Sequence, residues 1–135
     1  MSRYVSDTHA LHWHLVGNKK LSATAQQIFQ AADTGAVQSV VPGIVLIEFV
    51  YLEEKGRLDS AKVNQLFALL DTPGGSYTVV PLDVPIAQAL QRVPRTLVPE
   101  MPDRIITATA LHLGLPLITR DGMIQRSALV PTIWE

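Results

Sequence analysis

The sequence predicts an α/β fold in which a mainly parallel sheet of about five strands is covered by helices on both faces. Short apolar runs of strand length alternate with longer segments that have helical spacing of apolar residues. Parallel strands joined by helices are buried on both sides, and such strands are typically apolar. No repeat, low-complexity segment or linker divides the chain, so residues 1–135 are expected to form a single domain.

The predicted strands are short β-prone runs that end at turn or helix-start residues. Pro42 and Gly43 turn the chain out of the second run, and the segment Thr72–Ser76 is a turn before the third. In chain order the predicted strands are Arg3–Ser6, Val37–Val41, Tyr77–Pro81, Leu115–Thr119 and Thr132–Trp134.

Helices are predicted in the intervals between these strands. In the first of them Leu11 and Leu15 lie four residues apart, and Ser22, Asp59 and Asp83 are candidate N-caps of later helices. The predicted helices are Thr8–Val16, Ser22–Asp33, Ile44–Lys55, a segment after Asp59, Asp83–Arg92, a segment with Asp103 in its first turn that stops at Gly114, and a short segment after Asp121.

Composition excludes several classes of protein. The chain has no cysteine, so it has no disulfide framework, no thiolate nucleophile and no sulfur-based zinc site. A net charge of −1 argues against a general polyanion-binding protein. If four carboxylates belong to one metal site, however, the remaining eight of the twelve acids face eleven Lys and Arg residues.

No membrane or export segment is expected. Arg3 and Asp7 stand where the apolar part of a signal peptide would begin. The longest nearly apolar run, Val40–Leu52, contains Glu48 and is shorter than the roughly 20 residues that span a bilayer. We therefore expect a soluble, cytoplasmic protein that does not bind membranes.

Carboxylates fall where parallel strands end. Asp7 ends the first predicted strand, Asp121 ends the fourth, and Asp103 begins the helix that leads into the fourth. Ligands of open parallel α/β sheets bind outside the carboxyl ends of the strands. We expect Asp7 and Asp121 to share this crevice, and Asp103 to join them if the chain bends suitably.

Glu48 is the only charged residue in the segment Ile44–Leu52. Ile44 and Leu52, one helical turn away on either side, make its face of the helix apolar. A carboxylate on an apolar face needs a partner, because burying it unpaired is costly. A divalent cation is one such partner, and Arg or Lys is the other.

Each acid also has a simpler structural interpretation. Asp7 and Asp121 are both suitable helix caps. Asp103 favours the helix macrodipole at any first turn, and Glu48 could form a buried ion pair. One shared metal site accounts for all four at once.

Histidines and tryptophans near the first helix suggest other sites less strongly. His9 and His12 share a helical face, but His14 points away from them, so a zinc site is not favoured. Trp13 and Trp134 are interpreted as core or dimer-interface residues rather than as stacking platforms for bases. No G-x-G-x-x-G motif follows the first strand, which argues against a dinucleotide-binding enzyme.

Four motifs in chain order resemble the PIN domain, and among its members the VapC-like ribonuclease toxins of type II toxin–antitoxin systems. The resemblance implies a three-layer α/β/α sandwich and an endoribonuclease that depends on Mg²⁺ or Mn²⁺ and leaves 5′-phosphate and 3′-hydroxyl ends. It also implies an RNA substrate, a cognate antitoxin protein and a homodimer. The motifs are Val5–Leu11, Glu48 with Gly56–Leu58, Pro102–Ala110 and Leu117–Asp121.

The resemblance also assigns site residues by motif. One departure is Glu100, which stands near the place where relatives often carry a further Asp, so its role is open. A PIN-like module that binds RNA or protein without cutting is the alternative. The resemblance implies metal-binding and catalytic roles for Asp7, Glu48, Asp103 and Asp121, and supporting hydroxyls on Thr8 and Thr119. It also implies that Arg104 pairs with or orients the site carboxylates.

Overall fold

A five-stranded, all-parallel sheet forms the centre of the structure, a computed structural model that describes residues 1–135. The strand order is β3-β2-β1-β4-β5, which places the first strand of the chain in the middle. The predicted α/β fold is therefore confirmed. The strands are β1 (Arg3–Ser6), β2 (Gln38–Pro42), β3 (Tyr77–Val80), β4 (Leu117–Ile118) and β5 (Thr132–Ile133).

Seven helices connect these strands, and most of them begin at the caps that the sequence predicts. The side chains of Asp7, Ser22, Asp59, Asp83 and Asp121 each accept a hydrogen bond from a backbone N–H in the first turn of the following helix. The helices are α1 (Thr8–Val16), α2 (Ala23–Asp33), α3 (Gly43–Glu54), α4 (Ser60–Asp71), α5 (Val84–Leu90), α6 (Met101–Leu113) and α7 (Gly122–Ser127).

Several elements are shorter than predicted, among them β4, α5 and β5. β4 does not begin at Leu115, because the N–H of Leu115 instead bonds to the carbonyl of Ala110 and completes the end of α6. α5 stops at Leu90, because the next N–H groups bond three residues back and tighten the chain into a turn. β5 pairs with β4 over two residues only.

Both faces of the sheet are covered. Ser39, Val40 and Val41 are consecutive residues of β2, so their side chains alternate between the two faces, yet all three are buried. The core includes Phe29 and Phe49, from helices α2 and α3, as its largest fully buried side chains. No helix combines the length and the apolar character that crossing a membrane requires.

The direction of strand addition reverses at β1. β2 and β3 lie on one side of it, and β4 and β5 lie on the other. The crevice outside the carboxyl ends of β1 and β4 is thus a topological switch point, where ligands of open α/β sheets bind. The fold directs the search for a site to the residues that follow these two strands.

A candidate metal centre at the carboxyl edge of the sheet

Asp7 and Asp121 follow the two adjacent strands at the switch point. Asp7 ends β1 and caps α1 by accepting a 2.8 Å hydrogen bond from the N–H of Ala10 at Oδ1. Asp121 follows β4 and caps α7 through a 2.9 Å bond from the N–H of Ile124. The two interpretations of these residues are therefore compatible, because capping uses one oxygen of each carboxylate and leaves further lone pairs for a ligand.

Thr119 joins the two acids. Its hydroxyl donates to Oδ2 of Asp7 and accepts a 3.0 Å hydrogen bond from the N–H of Asp121. Thr119 is completely buried and Asp7 is only 6 % exposed, so this link is shielded from water. The hydroxyl fixes the orientation of Asp7 and the start of the segment that carries Asp121.

Asp103, in the first turn of α6, borders the same pocket. Its pKa is raised to about 7, first by burial and then by the neighbouring charges of Asp121, Asp7, Glu48 and Glu100, in that order. The pocket has a volume of about 270 Å³. Its lining residues are Asp7, His9, Trp13, Asp103, Arg120 and Asp121.

Burial also raises the pKa of Asp7, although the hydrogen bonds from Thr119 and Ala10 and the charge of His9 act in the opposite direction. The charge of Asp121 adds to the increase. Burial therefore disfavours the ionised forms of both Asp7 and Asp103. A cation in the pocket would stabilise these negative charges.

Glu48 lies beside the three aspartates rather than among them. Its Oε1 accepts a hydrogen bond from the hydroxyl of Thr8, which joins α3 to the first turn of α1. Both residues border a neighbouring pocket of about 230 Å³ with a largely apolar lining, and His9 borders both pockets. Glu48 forms no salt bridge, since the only one in the structure joins His14 to Asp33. The alternative of a buried ion pair is thus wrong.

The donor set fits a hard divalent cation in chemistry, although the side chains do not form a closed cage. No three His, Asp or Glu side chains lie close enough together to hold a metal ion directly. Mg²⁺ usually keeps several waters and needs one or two carboxylates, which three aspartates around one pocket can supply. The histidines do not form a zinc site: His14 pairs with Asp33 and His12 lies edge-on to Phe49.

Arg104 was expected to pair with site carboxylates or to orient them, and in this structure it pairs with no carboxylate. Its Nη2 donates to the carbonyls of Val93 (2.8 Å) and Leu90 (3.2 Å), and its Nε also donates to Val93 (3.1 Å). The carbonyl of Leu90, at the end of α5, also accepts a 3.0 Å hydrogen bond from the N–H of Val93, whereas the carbonyl of Val93, beyond the helix, receives its hydrogen bonds from Arg104. Arg104 therefore fixes the start of α6, which carries Asp103, to the end of α5.

Glu100 stands at the N-cap position of α6, but its side chain makes no capping hydrogen bond. It is exposed and does not line the aspartate pocket. Its charge contributes least among the four carboxylates that raise the pKa of Asp103. In this structure Glu100 acts on the site through its charge alone.

Three residues that the sequence did not assign to the site border the aspartate pocket: His9, Trp13 and Arg120. Trp13 lies on α1 one helical turn after His9, and their rings are 5.7 Å apart. Arg120 lies between Thr119 and Asp121. The signal that could have found Trp13 is its i+4 spacing from His9 on the helix that Asp7 begins.

The sequence profile of the PIN domain matches residues 4–129 of the chain. The chain belongs to the PIN domain family. This match extends from β1 to the residues after α7, so it includes Asp7, Glu48, Asp103 and Asp121. The predicted family is confirmed.

Relatives of this PIN domain include ribonuclease VapC22 of Mycobacterium tuberculosis, which is 26 % identical over 136 residues that cover 99 % of this chain and 100 % of the relative. Among solved structures, VapBC2 from Rickettsia felis bound to a DNA fragment from its promoter has a TM-score of 0.73 at 14 % identity, covering 98 % of this chain and 99 % of that one. A toxin–antitoxin complex from Klebsiella pneumoniae has a TM-score of 0.68 at 22 % identity, with 98 % of both chains covered. At these identities the structural likeness shows the fold.

Proposed function

We propose that this PIN domain is a VapC-like endoribonuclease that hydrolyses RNA with a divalent cation and acts as the toxin of a toxin–antitoxin pair. The observation that carries the proposal is the convergence of Asp7, Asp103 and Asp121 on one pocket at the switch point of the sheet. The likeness to ribonuclease VapC22 over the full length of both chains supports it.

In this proposal the three aspartates hold Mg²⁺ or Mn²⁺, each directly or through a water. When bound, the ion supplies positive charge that activates a water and offsets negative charge on the phosphodiester. Thr119 keeps Asp7 oriented, and the carbonyl contacts of Arg104 keep the start of α6 in place. The raised pKa of Asp103, about 7, means that the ion and a proton compete for this carboxylate.

Glu48 acts as a further ligand or as the base that positions the water. One of its oxygens is fixed by Thr8, so the other is free to accept a proton. As the water oxygen bonds to phosphorus, the bond from phosphorus to O3′ breaks and a proton passes to O3′. The products are a 5′-phosphate and a 3′-hydroxyl.

We also propose that a cognate antitoxin protein blocks this site and that the toxin is a homodimer. The structural neighbours support the first point, since they include a toxin–antitoxin complex with a fold that matches nearly the whole chain. Light scattering on the purified chain tests the second. A mass of twice that of the chain is expected, and a monomer at every concentration would exclude the dimer.

The test of the activity is cleavage of a mixed single-stranded RNA substrate with Mg²⁺, with Mn²⁺ and with EDTA. Cleavage that requires either ion and leaves 5′-phosphate ends is expected. If RNA is bound but not cut under any metal condition, the chain is a non-catalytic PIN-like binding module instead.

A further inference from the structure

Trp13 separates two pockets on the surface of the protein. On one side it lines the aspartate pocket together with Arg120. On the other side it lines a polar pocket of about 320 Å³ beside Asn18 and Lys19, in the turn after α1. A ligand that occupied both pockets would therefore contact Trp13 in each of them.

Two cationic side chains lie over the same ring, so a base that stacks on it takes the place of one of them. The guanidinium carbon of Arg120 is 5.7 Å from the ring centroid, and Nζ of Lys20 is 5.8 Å from it. Both side chains are exposed, and neither forms a salt bridge, although Arg120 is next to Asp121 in the chain. Their charges are therefore available to an anionic ligand.

The indole of Trp13 is partly exposed and does not belong to the core. Trp13 is only partly buried, whereas Leu11 and Leu15 on the same helix are buried in the core. Trp134 meets it edge to face with the ring centroids 6.0 Å apart, and the carbonyl of Trp134 accepts a hydrogen bond from Ser22. This contact supports the indole from the C-terminal segment and limits its rotation.

We propose that Trp13 stacks on a base of single-stranded RNA next to the scissile phosphate, while Lys20 and Arg120 hold the neighbouring backbone phosphates. This inference rests on the proposed ribonuclease function and specifies how its substrate is held. An aromatic ring combined with cations is the usual surface for single-stranded nucleic acid, because every base presents a face for stacking and every linkage carries a charge. A duplex is not a ligand for this surface, since its bases are already stacked.

The test measures RNA binding without cleavage. In EDTA, fluorescence anisotropy gives the affinity for a labelled oligoribonucleotide of about ten unpaired nucleotides. Trp13→Ala is expected to weaken binding roughly 5- to 100-fold, and Trp13→Phe to restore most of the loss because a phenyl ring still stacks. Phe67→Ala, a change at an exposed aromatic residue of α4 that lines neither pocket, is the matched control and should bind almost as tightly as the original chain.

A second measurement does not depend on how well Trp13→Ala folds. Trp13 is the only tryptophan left in Trp134→Phe, since the chain has two. Adding the oligoribonucleotide should quench its fluorescence, and a self-paired hairpin of the same composition should not. Lys20→Ala should reduce the slope of log affinity against log salt by about 1.

The outcomes separate this inference from the proposed function. If Trp13 stacks on RNA but no metal condition gives cleavage, the stacking inference is supported and the proposed ribonuclease function is wrong. Cleavage with unchanged RNA affinity in Trp13→Ala and no quenching would overturn the stacking inference. The same unchanged affinity with a weakened antitoxin complex would assign the surface to a protein partner and equally overturn it.

Discussion

At the scale of single residues, Asp7 combines a structural and a chemical task. One oxygen caps α1, the other accepts a hydrogen bond from Thr119, and burial opposes its charge. An asparagine keeps an oxygen that can cap the helix but loses the negative charge. Asp7→Asn should therefore lower RNA cleavage by roughly 100-fold or more while the fold is kept.

Asp7→Ala is the informative comparison for this change. It removes the cap as well as the charge and should lower the free energy of unfolding by about 0.5–2 kcal/mol relative to Asp7→Asn. Cleavage assays and urea denaturation on both variants give the two readouts. A fully active Asp7→Asn would remove Asp7 from the catalytic centre.

Thr119 gives a second prediction at this scale. Thr119→Val keeps the shape of the side chain but leaves one oxygen of Asp7 and the N–H of Asp121 without this partner. The free energy of unfolding should fall by about 1–3 kcal/mol, and cleavage should fall with it. Thr119→Ser retains the hydroxyl and should keep most of both. A loss in Thr119→Ser as large as that in Thr119→Val would contradict a role that is specific to the hydroxyl.

At the scale of elements, Arg104 acts between two helices. Arg104→Ala leaves the carbonyl of Val93 without its donor and removes the second donor to the carbonyl of Leu90, and should lower the free energy of unfolding by about 1–3 kcal/mol. Arg92→Ala, an exposed change in the turn after α5, is the control and should have little effect. If Arg104→Ala abolished cleavage with stability unchanged, a direct role at the carboxylates would be restored.

Local signals account for most of what the sequence predicted about the elements. Helix starts were predictable because Asp7, Ser22 and Asp121 cap their helices with contacts only three residues away. The lengths of β4 and β5 could not be predicted, because they depend on pairing between distant segments. The hydrogen-bond partners of Arg104 could not be predicted for the same reason, since its acceptors lie 11 and 14 residues before it, after and at the end of α5.

The acids of the site were predictable because each follows a strand or starts a helix, and the sheet order then brings them together. The sequence also marked Glu48 as unusual through its apolar neighbours. Trp13 was less visible, because an apolar helix face indicates burial whether or not a pocket lies beside it. Only the placement of Arg120 and Lys20 around its ring reveals the difference.

At the scale of the whole molecule, the clustered carboxylates connect stability to pH. The pKa of Asp103 is about 7 in the fold, against an ordinary value of 3.8, so between these values the folded state binds more protons than the unfolded state. The free energy of unfolding in EDTA should therefore fall as the pH rises through this window. Urea denaturation from about pH 4 to about pH 8 measures it.

Asp103→Asn should remove much of this pH dependence, and the variant should be more stable than the original chain at about pH 8 in EDTA. Asp71→Asn, an exposed change at the end of α4, is the matched control. Mn²⁺ should stabilise the original chain most at the higher pH, where the carboxylates are charged. A stability profile in EDTA that is flat with pH would contradict the repulsion among the acids.

The position of a bound Mn²⁺ tests the central claim most directly. Anomalous diffraction from crystals grown with Mn²⁺ locates the ion without assumptions about activity. We expect it in the pocket at the ends of β1 and β4, bound directly or through waters by at least two of Asp7, Asp103 and Asp121. An ion held elsewhere, or an empty pocket at saturating Mn²⁺, would contradict the assignment of this crevice as the metal centre.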